Sequence, residues 1–458
     1  MTLDVTAFKA YDIRGVYPEQ INAEFVRALA QAYATHFRPK RVAIGYDSRL
    51  SSPELASALS DSFRDSGVDV LDLGLCGTEM VYFTTGMYRT DGGIMITASH
   101  NPKEYNGCKM VTREAIPVGV GNGLAEIKKM VLENGPFTHI RPEQPDYRGD
   151  YTRLDITKAF ISWQLDKLTT SINRDLKVVV NTGNGAAGPT IRQLADQLPC
   201  ELTLVFEEPD GNFPNGVPNP MLPDCREDTA SNVLETGADL GVAFDGDFDR
   251  CFFFDENGRF IEGYYIVGLL AAQVLKKHPG AKIIHDPRLT WNTIETVIRM
   301  GGVPVESKTG HAYIKERMRQ EKAEYGGEMS AHHYFRSFWY CDTGLMPFLL
   351  ILELLGATGK PMSVLVDEAI NRYPISGECN FTITGTAEAV IRAVEKHFSG
   401  QGKVTRLDGL SIECDRWRFN LRGSNTEPLI RLNVESRGDV RLMEEKRDEI
   451  ISIIKSYQ

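Results

Sequence analysis

A short apolar strand that stops at a polar turn and runs on into a helix occurs three times in the 458 residues. Val42-Ala43-Ile44 leads into Gly45-Tyr46-Asp47-Ser48-Arg49, Val178-Val179-Val180 into Asn181-Thr182-Gly183-Asn184-Gly185, and Ile283-Ile284 into His285-Asp286-Pro287-Arg288. Ser52 as cap and Pro53 as first helical residue start the first helix, and the others start near Pro189 and Asn292. Strand–turn–helix units repeated at domain-sized intervals predict three α/β domains of similar plan. A chain this long also exceeds what a single hydrophobic core supports, so three or four domains are expected.

Punctuation places the boundaries. An amphipathic helix capped by Asn22, with Phe25, Val26, Leu29, Tyr33 and Phe37 on one face, precedes the first βα unit and ends before Pro39. The polar, proline-bearing stretch 141–150 reads as a first linker, Asp255-Glu256-Asn257-Gly258 as a hairpin-type turn near the second boundary, and Gly356, Gly359 and Pro361 as breaks near the third. The expected domains are 1–145, 146–254, 255–366 and 367–458. The last is a small α+β domain, with strand-like stretches 380–384 and 411–419 and helices 387–398 and 440–457.

With 42% hydrophobic and 25% charged residues the chain has ordinary globular composition. A net charge of −11 without a basic run argues against nucleic acid, so an anionic ligand must be met by individually placed cations. The longest apolar stretches, 266–275 and 346–355, are too short to span a bilayer and no leader pattern opens the sequence; a cytoplasmic protein with no membrane partner is expected. Cysteines at 76, 108, 200, 225, 251, 341, 379 and 414 form no metal or redox pair and read as reduced.

Four stretches carry chemistry. Thr97-Ala98-Ser99-His100-Asn101-Pro102 follows the run Gly92-Gly93-Ile94-Met95-Ile96 and presents the Ser99 hydroxyl, with the His100 imidazole beside it, on a turn stiffened by Asn101 and Pro102. Asp245-Gly246-Asp247-Phe248-Asp249-Arg250 lies between apolar runs, and three carboxylates so close repel one another unless a cation sits among them; their hard oxygens suit Mg²⁺. Glu328, Ser330 and His332 alternate within Gly327–Phe335, a pattern suited to reading adjacent sugar hydroxyls. Arg422-Gly423-Ser424-Asn425-Thr426, with Arg431 beyond, combines guanidinium, glycine-freed amides and hydroxyls into a phosphate cradle. Thr309, Gly310, His311, Lys109 and Arg14 add candidates of the same kind.

In this order, TASHNP, DGDFDR, GEMSAHHYF and RGSNTEPLIR closely resemble the signatures of the α-D-phosphohexomutase family, in its phosphomannomutase/phosphoglucomutase branch. The resemblance spans the chain. It implies a four-domain heart-shaped α/β fold, three related α/β domains with mixed sheets plus a smaller C-terminal α+β domain, around a central cleft. It further implies that Ser99 is the phosphorylated residue, that Asp245, Asp247 and Asp249 hold Mg²⁺ with Ser99 as a further ligand, and that Glu328 and Ser330 grip the sugar. Arg422, Gly423, Ser424, Asn425, Thr426 and Arg431 correspond to the site for the non-reacting phosphate. Tyr11, Arg288, Thr309, Gly310 and His311 complete the expected substrate contacts, Arg288 near a place where lysine is the expectation. Arg14, Lys109, Arg250, His100 and His332 are the remaining expected catalytic groups.

The implied reaction interconverts mannose 6-phosphate and mannose 1-phosphate, and glucose phosphates as well, through phosphoserine and a hexose 1,6-bisphosphate that also serves as activator. It would feed GDP-mannose and polysaccharide synthesis, in a monomer or weak homodimer. Lys109 or His332 could serve as general base if its pKa is lowered, and the C-terminal domain, tied by one linker, reads as a mobile lid. A phosphoglucomutase or phosphoglucosamine mutase, a Mg²⁺-dependent sugar phosphatase and a non-catalytic sugar-phosphate sensor remain open alternatives.

Overall fold

The computed structural model describes residues 4–9, 11–119, 121–133, 137, 139–141, 143–144, 146–173, 175–423 and 429–457. They fall into two compact units, Met1–Phe260 with Ser337–Gly359, and Ile261–Arg336 with Lys360–Gln458. The helix Leu345–Thr358 lies in the first unit.

Three sheets repeat one plan. In the first, Arg41–Tyr46 lies between the parallel strands Asp69–Leu75 and Gly92–Ile96, and Tyr105–Thr112 folds back antiparallel on Gly92–Ile96. In the second, Lys177–Asn181 lies between the parallel strands Glu201–Val205 and Leu240–Phe244, with Cys251–Phe254 antiparallel beyond. In the third, Lys282–His285 lies between the parallel strands Val303–Glu306 and Tyr325–Gly327, with His333–Phe335 antiparallel beyond. Each of the first three chemical motifs is thus the same turn of the same plan, the loop from a parallel strand to its antiparallel partner. The strand Tyr151–Arg153, past the expected boundary at 145, joins the edge of the first sheet beside Asp69–Leu75.

Local chemistry explains the elements. Asn22 accepts the Phe25 N–H at 3.0 Å and caps the helix Ala23–Phe37, which Arg38 ends in the left-handed region at φ 49°. Phe25, Leu29 and Tyr33 are fully buried in one core with Ile44, Leu59, Phe63 and Ile94, and each such apolar side chain contributes about 1.5–3 kcal/mol. The second helix begins one residue earlier than expected. Ser51 is its cap and Ser52 its first residue, because the Ser52 hydroxyl is committed to Asp47 Oδ1 at 2.6 Å.

The C-terminal sheet is antiparallel throughout, in the order Cys379–Thr382, Leu429–Ser436, Trp417–Gly423, Leu410–Glu413, Lys403–Thr405. The stretch expected as one strand over 411–419 is a hairpin, its turn closed by the Cys414 N–H donating to the Trp417 carbonyl. Helices Ala387–His397 and Val440–Lys455 cover the sheet over a core that includes Val394, Phe419, Leu432 and Ile450.

This small sheet is held by more than a linker. Glu435, fully buried, accepts from the Tyr264 hydroxyl at 2.5 Å, the Thr290 N–H at 2.7 Å and Arg418 Nη1 at 2.8 Å, while Arg418 also donates to the carbonyls of Pro287 and Arg288. That buried network joins it to the third sheet's turn. All eight cysteines are free thiols. No single helix among the described residues is long and apolar enough to cross a membrane.

Candidate active site

The first unit brings two motifs into contact. Ser99 is buried and sits at φ 52°, a left-handed conformation that a side chain with a Cβ adopts only when its surroundings impose it. Its hydroxyl donates to Asp245 Oδ2 at 2.9 Å and lies 3.1 Å from His100 Nδ1. Asp245, Asp247 and Asp249 are buried in the turn between Leu240–Phe244 and Cys251–Phe254, with ligand oxygens all within 4.8 Å of one another. Phe248, at φ 66°, turns its ring inward against Phe244 at 4.8 Å and keeps the alternate positions pointing to one side. Gly246 lets the two loops meet, since a Cβ there would stand 2.6 Å from the Ser99 carbonyl oxygen.

Cations and donors orient the carboxylates. Lys109 Nζ reaches Asp247 Oδ2 at 2.7 Å and Asp249 Oδ2 at 2.5 Å, and the Thr78 hydroxyl donates to Asp247 Oδ2 at 2.5 Å. The other oxygen of Asp247, Oδ1, is buried without a hydrogen-bond partner, as a carboxylate presented to a cation would be. Arg250 binds Asp245 through Nε at 2.9 Å and contacts His100 Nδ1 through Nη2. Arg14 joins Asp12 at 2.8 Å to Asn101 Oδ1 at 2.7 Å, and half-buried Tyr11 acts electrostatically on it.

Burial would raise all three acids. Lys109, with Thr78 and Ser99, overcomes it at Asp247 and holds that carboxyl well below its usual range. Asp249 is pushed well above its usual value by burial and by the charge of Asp247, and Asp245 is raised by burial. Such a cluster gains from an added divalent charge, and its hard oxygen donors fit Mg²⁺. His100 is held neutral by burial and by Arg250 and Arg14. Burial disfavours charge on Lys109, but Asp247 and Asp249 more than compensate, so its pKa lies above that of a free lysine.

The second unit assembles the other groups. Arg288, on the turn after Lys282–His285, donates Nη2 to Asp286 Oδ2 at 2.8 Å and to the Ser330 hydroxyl at 3.3 Å, with Glu328 Oε1 at 3.7 Å. Glu328 accepts the Gly310 N–H at 2.9 Å and the Tyr334 hydroxyl at 2.5 Å, and His332 Nδ1 is 3.6 Å from it. Burial raises the Glu328 pKa against the opposing field of Arg288. The rings of His311 and His332 stack at 6.5 Å, and the Thr309 N–H donates to Asp408 Oδ2 at 3.2 Å.

Arg422 and Arg431 stand opposite each other across the hairpin that ends in the phosphate-cradle motif. Arg422 contacts Glu378 Oε2 at 3.2 Å, Arg431 contacts Oε1 at 3.4 Å, and Arg288 Nη1 lies 3.6 Å away. Three guanidiniums thus meet at one carboxylate, Arg288 being paired with Asp286 and near Glu328 as well, and their planar donor forks suit an anion. Gly423 ends the strand that carries Arg422. Ser424, Asn425 and Thr426 lie outside the described residues.

Sequence reasoning overlooked Thr78, Asp286, Tyr334 and Glu378. Asp286 had a signal, the Asp-x-Arg spacing after the third central strand, whereas Glu378 and Thr78 meet their partners only through the fold.

Residues 5–135, 157–258 and 262–373 match the phosphoglucomutase/phosphomannomutase alpha/beta/alpha domains I, II and III, and residues 378–452 match the C-terminal domain. A phosphomannomutase of Salmonella montevideo is 51% identical over 459 residues, covering 99% of this chain and 100% of that protein. The chain belongs to the phosphoglucomutase/phosphomannomutase family. A phosphohexose mutase of Xanthomonas campestris pv. campestris is 50% identical, over 99% of this chain and 100% of its own length. A crystal structure of a phosphoglucomutase/phosphomannomutase family protein from Burkholderia thailandensis superposes with a TM-score of 0.89 at 33% identity, covering 99% of this chain and 98% of that one. For a mutase of this family, the two units divide the work by chemistry. The first holds the Ser99 hydroxyl against an acidic cluster, and the second gathers Glu328, Ser330 and His332 with Arg288, Arg422 and Arg431.

Proposed function

We propose that this chain interconverts mannose 6-phosphate and mannose 1-phosphate, and glucose phosphates as well, through a Ser99-phosphorylated enzyme and a hexose 1,6-bisphosphate. One observation carries the reading, the buried hydrogen bond from Ser99 Oγ to Asp245 inside a three-carboxylate cluster. It puts a potential phosphate carrier beside groups able to hold a metal ion. Family membership, and the name phosphomannomutase on a full-length relative at 51% identity, support the substrate class.

In this reading Asp245, Asp247 and Asp249 would hold Mg²⁺, with phosphorylated Ser99 as a further ligand. A bound Mg²⁺ supplies charge neutralisation on the transferring phosphoryl group. Arg250 and neutral His100 flank Ser99 Oγ, and Arg14 fixes Asn101, so the hydroxyl has one orientation for in-line transfer. Lys109 bridges Asp247 and Asp249 and holds them in register. Glu328, Ser330 and His332 accept and donate hydrogen bonds to sugar hydroxyls. Arg288, Arg422 and Arg431 bind the phosphate that is not reacting, which displaces the weaker carboxylate contacts of Glu378.

The test compares turnover of mannose 1-phosphate, glucose 1-phosphate and glucosamine 1-phosphate with glucose 1,6-bisphosphate as activator. The proposal expects mannose 1-phosphate to be used best and glucosamine 1-phosphate poorly. Release of inorganic phosphate in place of isomerisation would make the chain a phosphatase instead.

A further inference from the structure

The turn after the central strand of the first sheet does mechanical work that the reaction needs. Arg49 is one of the largest fully buried side chains of the molecule, 1% exposed, and the hydrogen bonds of its guanidinium converge on the serine loop and on Asp47, which supports it. Nη2 donates to the carbonyl oxygens of Ser99 at 2.9 Å and Asn101 at 2.6 Å, and Nη1 to those of Pro102 at 2.6 Å and Tyr105 at 2.9 Å. Nε and the backbone N–H of Arg49 go to the two oxygens of Asp47. Asp47 Oδ2 also accepts the Thr97 hydroxyl at 2.7 Å, and Thr97 Oγ1 in turn accepts the Ser99 N–H at 2.8 Å. The amide and the carbonyl of Ser99 are therefore both tied, by a closed ring of hydrogen bonds, to one buried ion pair.

The third sheet shows what the same turn does elsewhere. There Asp286 accepts from the N–H and Nε of Arg288, as Asp47 does from Arg49, and also accepts the Met329 N–H of the sugar-reading loop at 2.9 Å. In both sheets an Asp-x-Arg turn after the central strand fastens the functional loop of the neighbouring parallel strand. The difference is where the guanidinium goes. Arg288 faces Ser330, Glu328 and Glu378, whereas both terminal nitrogens of Arg49 are spent on main-chain carbonyls.

We infer that Arg49, with Asp47 and Thr97, is the positioning device that imposes the left-handed conformation of Ser99 and so aims its Oγ at Asp245. The inference rests on the reading that Ser99 carries the phosphoryl group. A planar guanidinium is required because five donors in a fixed fork can span four carbonyls and a carboxylate, and an ammonium cannot. Arg49 and Thr97 are buried with their donors committed to the loop and to Asp47, so their loss acts through the position of the loop that carries Ser99.

The experiment uses the full chain with Arg49→Lys, Thr97→Val and Thr97→Ser, measuring kcat, KM for mannose 1-phosphate, thermal midpoint, and the rate of phosphoserine formation from glucose 1,6-bisphosphate. Arg49→Lys and Thr97→Val should each lower kcat and phosphoserine formation together by about tenfold or more, with KM within about twofold of wild type. Thr97→Ser, which keeps the hydroxyl, should restore both rates. Wild-type kcat in Thr97→Val, an effect confined to KM, or equal loss in Thr97→Ser and Thr97→Val would overturn the inference. Should Arg49→Lys not fold, the Thr97 pair decides. Failure of the wild-type chain itself to acquire phosphate on Ser99 would overturn the underlying reading, and that result is distinct from active variants.

Discussion

A hydroxyl is a poor phosphate carrier until it is held in one place beside a cation site, and Ser99 is held by its backbone conformation, by Asp245 and by His100. Ser99→Ala removes the carrier without touching the sugar-binding groups. Turnover should fall by about a thousandfold or more while hexose phosphate affinity, measured by calorimetry, stays within about twofold. Retained turnover would take the serine out of the chemistry. Asp247 is the acid with one oxygen engaged by Lys109 and Thr78 and the other unsatisfied. Asp247→Asn keeps an acceptor for those donors and loses the charge, so the Mg²⁺ concentration for half-maximal activity should rise about tenfold or more. An unchanged metal requirement would place the cation elsewhere.

Between elements, the close approach of two turns matters more than either alone. The turn 97–102 follows Gly92–Ile96, the turn 245–250 follows Leu240–Phe244, and they meet where Gly246 has no side chain. Its obstacle is main chain, the Ser99 carbonyl oxygen, so Gly246→Ala must push the loops apart. The expected result is a loss of turnover of about tenfold or more at a stability cost of about 1–3 kcal/mol, read from rates and denaturant melts of the same preparation. A fully active Gly246→Ala would mean that the loops need not touch. Nothing in a strand-like run followed by a polar turn reveals this contact. The apolar runs and turn residues were legible because local pattern determines them, whereas which turns face each other depends on sheet order.

At the scale of the whole molecule, buried charge and buried histidine set the response to pH and denaturant. Glu435 and Arg418 tie the C-terminal sheet to the turn at Pro287 and Arg288. Glu435→Ala strands the Arg418 guanidinium in the interior and should cost about 3–5 kcal/mol, seen as an earlier urea transition. His333 is fully buried with only Tyr325 as partner at its Nδ1, and burial lowers its pKa to about 3. Below its unfolded pKa near 6.5 the unfolded chain binds a proton that the folded chain refuses, so stability is complete above that pH and declines beneath it. One unit lower the loss is about 1.4 kcal/mol, and His333→Gln should flatten the stability profile between about pH 4 and 6.5. An identical slope in wild type and variant would assign the acid sensitivity to another group.

By itself the sequence determined the βα repetition, the helix capped at Asn22 and the four motifs, because each depends on residues adjacent in the chain. It also determined that Ser99 leaves a strand on a stiff turn. Tertiary structure alone decided that Asp47, Arg49 and Thr97 brace that turn, that Lys109 lies between Asp247 and Asp249, and that Glu378 gathers three arginines. The physical reason is common to all three. A buried charge takes its state and its use from partners that the fold, and not the chain order, brings within hydrogen-bonding distance.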